Sequence, residues 1–168
     1  LQRPLRVTTS SGCPFTDLVI EQPGHPGYDR RCADRNLRLL DWISSEPAGT
    51  VVLASSNEFW LRSDVGIERD GSWQREPAVK AELLEASLTR VTERLERAGH
   101  RVVIVRGIPQ FVDEYAWNLS ECSFAELRSG CVQTLPLSWA VKRATLVDAA
   151  VTNIGQSTGA TLLDVTND

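Results

Sequence analysis

The sequence predicts a single α/β domain, a three-layer α/β/α sandwich with a mainly parallel sheet. Its 168 residues fit one domain, which we place over residues 1–168. Two apolar runs, Thr50 to Ala54 and Arg101 to Val105, have the continuous character of strands buried on both faces. Strand-like runs alternate with helical patterns at the spacing of crossover connections. This alternation predicts parallel strands with helices on both faces.

The clearest predicted helix runs from Pro77 to Ala98, where apolar residues recur in steps of three and four. Its proline suits a first turn, and Gly99 suits a C-terminal stop. A second amphipathic helix is predicted over 138–156, and a third from about Arg35 to Ser44, with Asp34 as its N-cap. The remaining predicted elements are strands at Leu5 to Thr9 and Ala160 to Val165, a short helix near Phe124 to Arg128, and loops over 16–31 and 55–76.

Composition excludes several classes of partner. The formal net charge is −4 and no basic stripe occurs, which argues against nucleic acid. No run of 18 apolar residues is present, so no membrane span is predicted within this sequence. The chain contains no Met and no charged-then-apolar leader. We therefore expect a processed product or a piece of a longer polypeptide.

Four cysteines, in segments rich in Pro, Gly, Ser and charged residues, favour two disulfides. Three pairings are possible, and we predict the local one, Cys13–Cys32 with Cys122–Cys131, because it closes short loops. A zinc site is the rival interpretation, but no C-x-x-C occurs and neither histidine lies at ligand spacing from a cysteine. Free buried thiols are the other alternative. Disulfides imply an oxidising compartment outside the cytoplasm.

Two residues at the carboxyl ends of predicted strands could assist catalysis, because sites in parallel sheets form there. Gly12 follows the first strand, where glycine lets a backbone N–H approach a ligand closely. Asn57 follows the second, and its amide could donate to a developing oxyanion. Each has a structural alternative, a plain turn glycine and an Asx-type turn. Trp60 at the same edge either lines a substrate site or packs a loop onto the sheet.

A complete catalytic triad is not expected. Neither His25 nor His100 has an acidic residue placed to orient it as a base. Ser10 and Ser11 are candidate nucleophiles only by default, since nothing in the sequence would activate either hydroxyl. No metal site and no cofactor are predicted.

The run from Val7 to Pro14 resembles the second-strand region of SGNH-type domains, which are fused behind the membrane acyltransferase-3 family. Three further segments share the resemblance. They are Cys32 to Asn36 with the helix and strand that follow, Arg101 to Val105 with Pro109, and Thr161 to Asp164. The resemblance spans nearly the whole chain and implies an SGNH/flavodoxin-like fold.

In that family the catalytic Ser lies in a Gly-Asp-Ser block after the first strand, and an Asp-x-x-His block near the end supplies acid and base. A Gly and an Asn after the next two strands complete the oxyanion hole, and Gly12 and Asn57 resemble them. This sequence contains neither block. The resemblance therefore implies that the first strand and the last catalytic block are missing, and we expect this stretch alone to be inactive.

The function implied is O-acyl (acetyl) transfer, or esterase chemistry, on cell-envelope glycans or glycolipids. The domain would be extracytoplasmic and tethered to the membrane through an N-terminal transmembrane acyltransferase domain. Its partners would be an acyl donor and the glycan or glycolipid acceptor. One alternative is a non-catalytic glycan- or protein-binding module of the same fold. Another is an unrelated secreted flavodoxin-like domain, which a phosphate-binding glycine-rich loop would favour, and none is seen.

Overall fold

The computed structural model describes residues 5–9, 12–21, 27–56, 58–107 and 136–165. Helices and strands alternate along these segments, as expected for an α/β domain. In chain order they are α1 (Tyr28–Ser45), β1 (Thr50–Leu53), α2 (Glu58–Leu61), β2 (Ile67–Arg69), β3 (Ser72–Gln74), α3 (Pro77–Arg97), β4 (Arg101–Val105), α4 (Leu137–Ser157) and β5 (Thr161–Leu163).

The main sheet is parallel and has the order β1-β4-β5. Parallel neighbours must be joined by a crossover. Helix α3 lies in the sequence between β1 and β4, and α4 lies between β4 and β5, so these two helices belong to the crossovers between strands that are neighbours in the sheet. Both helices contribute apolar side chains to one core cluster with the sheet. The predicted α/β class, with a parallel sheet flanked by helices, is confirmed.

The inner strand β4 is the most deeply buried part of the sheet. Val102, Val103 and Ile104 are all buried, as the apolar run predicts. The same prediction is wrong for β1, where Val52 is 59% exposed. Successive side chains of a strand point to opposite faces, and it is Leu53, with Val51, that packs in the core cluster with the helices, so Val52 lies on the other face of the sheet.

Helix α3 matches its prediction to within one residue. Pro77 is its first residue, and Gly99 follows its end with a φ of 89°, in the left-handed region that glycine tolerates. The Gly99 N–H donates to the Glu96 carbonyl at 2.8 Å and the His100 N–H to the Leu95 carbonyl at 3.0 Å. The helix end is therefore closed by backbone hydrogen bonds before β4 begins.

Helix α1 begins at Tyr28, seven residues earlier than the sequence predicts. The preceding Gly27 has a φ of 76° and starts the helix without a side-chain cap. Asp29 lies in the first turn, where a negative charge interacts favourably with the helix dipole. Asp34, predicted as the N-cap, is an exposed residue inside the helix. The predicted loop over 16–31 is correspondingly shorter.

The predicted strand at Leu5 to Thr9 is absent from the structure, which shows no regular structure at these residues. Leu5 and Val7 are 87% and 74% exposed. β-branched composition favours a strand only where a partner completes the hydrogen-bond ladder, and none of the described strands pairs with this segment. Side chains hold it instead, through an ion pair from Arg6 to Glu46 at 2.7 Å.

The predicted loop over 55–76 contains helix α2 and the hairpin β2–β3. Asp70 and Gly71 join the two strands with φ values of 52° and 77°. Positive φ at both central residues defines the tight turn that Asp-Gly favours. That dipeptide was visible in the sequence and could have revealed the hairpin. The predicted helix near Phe124 to Arg128 lies outside the described residues.

In the part of the chain that the structure describes, no helix combines the length and apolar character that crossing a membrane requires.

The buried His100 side chain connects α1 to the entrance of β1. The Gly49 N–H donates to its Nδ1 at 3.1 Å, and its Nε2 lies 2.9 Å from the Ile43 carbonyl oxygen. Because Nδ1 accepts, Nε2 carries the proton and donates to that carbonyl. Both ring nitrogens are therefore used for structure.

We expect His100→Ala to lower the free energy of unfolding by about 2 kcal/mol, because it leaves a partly buried N–H and a partly buried carbonyl unpaired. His100→Asn should cost less, since its side-chain oxygen can still accept from Gly49. Urea unfolding of the three proteins measures the series. Equal losses in both variants would contradict this account of the side chain.

Candidate functional site

A pocket of about 240 Å³ opens at the carboxyl end of β1. Four parts of the chain form its walls: residues 8–9 with 12–15, helix α1, the residues after β1, and helix α2. Typical small-molecule pockets are somewhat larger, about 300–1,000 Å³. This one therefore suits a small group or part of a larger substrate. Its lining residues include Thr9, Gly12, Arg35, Asn36, Ser55 and Phe59.

A disulfide between Cys13 and Cys32 attaches one wall of the pocket to α1. The two Cα atoms are 5.7 Å apart, and the bond closes a loop of 19 residues. This half of the predicted pairing is confirmed. The other half, Cys122–Cys131, lies outside the described residues. The bond holds the segment after Gly12 against the helix whatever the rest of the loop does.

Asn36 reinforces the same attachment one helical turn further on. Its buried side-chain amide donates to the carbonyl oxygens of Pro14 at 2.7 Å and Thr16 at 3.1 Å. Residues four apart lie on the same helix face, so Asn36 and Cys32 grip the segment together. Residues 13–16 are thus fixed by one covalent bond and two buried hydrogen bonds.

Gly12 lies in the pocket wall with a φ of 68°. That left-handed conformation is costly for any residue with a Cβ, so the backbone path here depends on glycine. Ala54, Ser55 and Ser56, directly after β1, line the same pocket. Gly12 and the residues at the carboxyl end of β1 therefore belong to one pocket, although no strand precedes Gly12 in the described part of the chain.

Asn57 itself lies outside the described residues. Its neighbours Ser56 and Phe59 both line the pocket, and α2 begins at the next residue. Both the oxyanion role and the turn role remain predictions. Ser10, Ser11 and His25 also lie outside the described residues.

Trp60 is 3% exposed and belongs to the hydrophobic core. The adjacent Phe59 contributes to the wall of the pocket instead. Trp60 lines a narrow recess of about 20 Å³ that shares Phe15, Ala54 and Ser55 with the pocket. Trp60 is therefore a residue of the core and is not among the residues that line the pocket itself.

Helix α3 anchors the segment that continues beyond the disulfide. Arg90 donates two hydrogen bonds to the Asp17 carboxylate, each at 2.8 Å, and Ser87 Oγ accepts from the Asp17 N–H at 3.2 Å. The hydrogen bond to Asp17 raises the pKa of Arg90. The rim of the pocket is thus fixed to a helix of the core as well as to α1.

The buried side chain of Lys80 binds the loop that follows α2. It is 1% exposed, and its Nζ donates to the carbonyls of Arg62 at 2.6 Å and Val65 at 3.1 Å. Burial lowers the pKa of Lys80 to about 8. Above it, the hydrogen bond from Arg62 lowers the pKa of Asp64. Sequence reasoning missed this lysine, although it lies four residues before Leu84, at the start of the apolar stripe of α3.

The structure places no catalytic base in the pocket wall that it describes. His100 is engaged with Gly49 and Ile43, as shown above. Across the described segments, no cluster of three or more His, Cys, Asp or Glu side chains could hold a metal ion. What the described wall can offer a substrate is backbone and hydroxyl hydrogen bonding and one cation, Arg35.

These features define an α/β domain with a small pocket of mixed polarity at the carboxyl edge of a parallel sheet, stabilised by a disulfide. Residues 1–167 match the family model described as SGNH domain (fused to AT3 domains). The chain belongs to this family. No curated protein and no solved structure matches it.

The lowered pKa of Lys80 predicts a pH dependence of stability. Between pH 8 and 10.5 the unfolded chain binds the proton that the folded protein releases, so this group raises the free energy of unfolding as pH increases. Lys80→Met should abolish that rise and cost about 2 kcal/mol near neutral pH, because two carbonyls lose their donor.

Urea unfolding at pH 7.5, 9 and 10 measures the effect. Lys142→Met, at the other lysine of the chain, which is exposed on α4, is the matched control. It should retain the wild-type pH profile. An identical profile in all three proteins would show that Lys80 does not titrate in this range.

Proposed function

We propose that this domain takes part in O-acyl, in particular acetyl, transfer or ester hydrolysis on a cell-envelope glycan or glycolipid. Membership of a family whose domains are fused to AT3 domains supports this chemistry. We further propose that the domain lies outside the cytoplasm, tethered to the membrane through an acyltransferase-3 domain of the same protein. The Cys13–Cys32 disulfide supports that placement, because such bonds persist in oxidising compartments.

The observation that carries the proposal is that Gly12 and residues 54–56 line one pocket. Attack on an ester carbonyl places negative charge on its oxygen, and preorganised N–H donors stabilise that charge in the transition state. We assign this role to the Gly12 backbone N–H and the Asn57 side-chain amide. Gly12 lines the pocket, and so do Ser56 and Phe59, which lie on either side of position 57 in the sequence.

The recess beside the pocket supports a small acyl group. Its volume of about 20 Å³ is comparable with a single methyl or water-sized group, and apolar side chains such as Trp60 and Leu84 line it. An acetyl methyl would fit there, whereas a longer acyl chain would clash with the core. In this arrangement Trp60 contributes to substrate binding through the acyl group.

The chemistry proposed is a serine acyl-enzyme. The Ser attacks the acyl carbonyl as a His accepts its proton, the donor's leaving group departs with that proton, and the acceptor hydroxyl or water then releases the acyl group. We propose that this chain contributes the oxyanion donors and that the nucleophile, His and Asp come from elsewhere in the parent protein.

In the parent protein we expect Asn57→Ala to lower the acyl-transfer rate by about 10²–10³, because one oxyanion donor is lost. Asn153→Ala is the matched control: this asparagine lies on the exposed side of α4 and donates to Glu85 at 3.0 Å. It should keep the wild-type rate. A normal rate for Asn57→Ala in a folded protein would leave position 57 with only a structural role.

The 168 residues alone should hydrolyse 4-nitrophenyl acetate no faster than buffer, because an unactivated serine is a poor nucleophile. The parent protein serves as the positive control. Hydrolysis by the isolated chain that disappears in Ser10→Ala or Ser11→Ala would contradict the proposal and would locate the nucleophile within this sequence.

A second candidate is a non-catalytic glycan- or protein-binding module of the same fold. It is favoured by the engagement of both ring nitrogens of His100 in structural hydrogen bonds, which leaves no histidine base in the described part of the chain. Glycan binding by the parent protein, together with acyl transfer unaffected by Asn57→Ala, would support this candidate over the enzyme.

A further inference from the structure

We infer that the pocket selects a negatively charged sugar, and that Arg35 binds its carboxylate or phosphate group. This inference rests on the proposed function, because it identifies the class of glycan that the same pocket would receive. The residue was not singled out in the sequence, where it reads as one of many arginines on a helix.

The position of Arg35 carries the argument. It projects from α1 three residues after Cys32, so the disulfide that holds the Gly12 segment against the helix also brings its guanidinium to the pocket. The side chain is half-buried and donates one hydrogen bond, from Nη2 to the Thr9 carbonyl at 3.1 Å. A guanidinium has five N–H donors, so most of its capacity is not used by this contact.

Arg35 has no carboxylate partner among the described residues. The described residues that line the pocket include no Asp or Glu, and none of the described carboxylates forms an ion pair with this arginine. Several other arginines are paired with acids, among them Arg90 with Asp17 and Arg75 with Glu21. A half-buried cation without a carboxylate partner gains most from a ligand that supplies one.

The chemistry of the cation indicates the class of ligand. The planar fork of a guanidinium matches carboxylate and phosphate oxygens in a bidentate geometry, and such charge-assisted hydrogen bonds are about twice as strong as neutral ones. The walls also contain Thr8, Thr9 and Ser55, whose hydroxyl groups suit a sugar. A sugar with an acidic group near the acylated hydroxyl satisfies both features of the pocket.

Equilibrium binding to the intact parent protein in detergent tests the inference without any acyl donor. The probes are methyl glucuronoside, glucose 6-phosphate and the neutral methyl glucoside. We expect at least one anionic sugar to bind about tenfold more tightly than the neutral one, which corresponds to about 1.4 kcal/mol. Which of the two binds more tightly distinguishes a carboxylate from a phosphate as the group recognised.

In Arg35→Gln the preference for the anionic probe should disappear, while Arg35→Lys should retain part of it. Arg38→Gln is the matched control, because Arg38 is exposed on the same helix and outside the pocket lining. It should keep the full preference. The preference should also weaken between about 50 and 500 mM salt, since exposed charges are screened.

Three results would overturn the inference: equal binding of charged and neutral probes by the wild type, a preference that survives in Arg35→Gln, or an equal loss of all three probes in that variant. The last result would show that Arg35 only holds the segment at Thr9. Since no turnover is measured, a protein that prefers anionic sugars but transfers no acyl group would refute the proposed function and leave this inference standing.

Discussion

The burial of β4 is the constraint on which the rest of the structure depends. Val102 and Ile104 are almost fully enclosed, and β4 is the strand that joins β1 to β5. Parallel neighbours cannot be connected by tight turns, so the chain must leave and return through α3 and α4. This routing sends the three strands in one direction and gathers their carboxyl ends at one edge. The pocket opens at that edge, where β1 ends.

The pocket is built on this core by interactions of a different kind. Its segment from Gly12 onwards packs Phe15 and Leu18 against the core, and it is also held by specific bonds. These are the disulfide, the two hydrogen bonds of Asn36, and the ion pair of Asp17 with Arg90. The core is stabilised mainly by apolar area removed from water. The pocket wall is positioned by directional contacts, and these fix individual groups in place.

Sequence patterns predicted the elements that depend on local chemistry. Helix α3 has a proline at its start, a glycine after its end and an unbroken apolar stripe, so its boundaries follow from the chain alone. The prediction of a strand at Leu5 to Thr9 was wrong, because a strand needs a neighbouring strand to pair with and composition does not reveal one. The position of Arg35 was not predictable for a similar reason. Which helical arginine faces a pocket depends on a cysteine pairing and on the early start of α1.

The disulfide matters more for the shape of the pocket than for the stability of the core. Neither Cys13 nor Cys32 is among the residues of the central cluster that joins the sheet to α3 and α4. In a sample kept in dithiothreitol, the hydrogen bonds of Asn36 would hold the wall that carries Gly12 to α1 without the covalent bond. Circular dichroism reports mainly on helices and strands and would be insensitive to a local change in this wall. A binding experiment that finds no ligand is therefore informative only if the Cys13–Cys32 disulfide is intact in the sample.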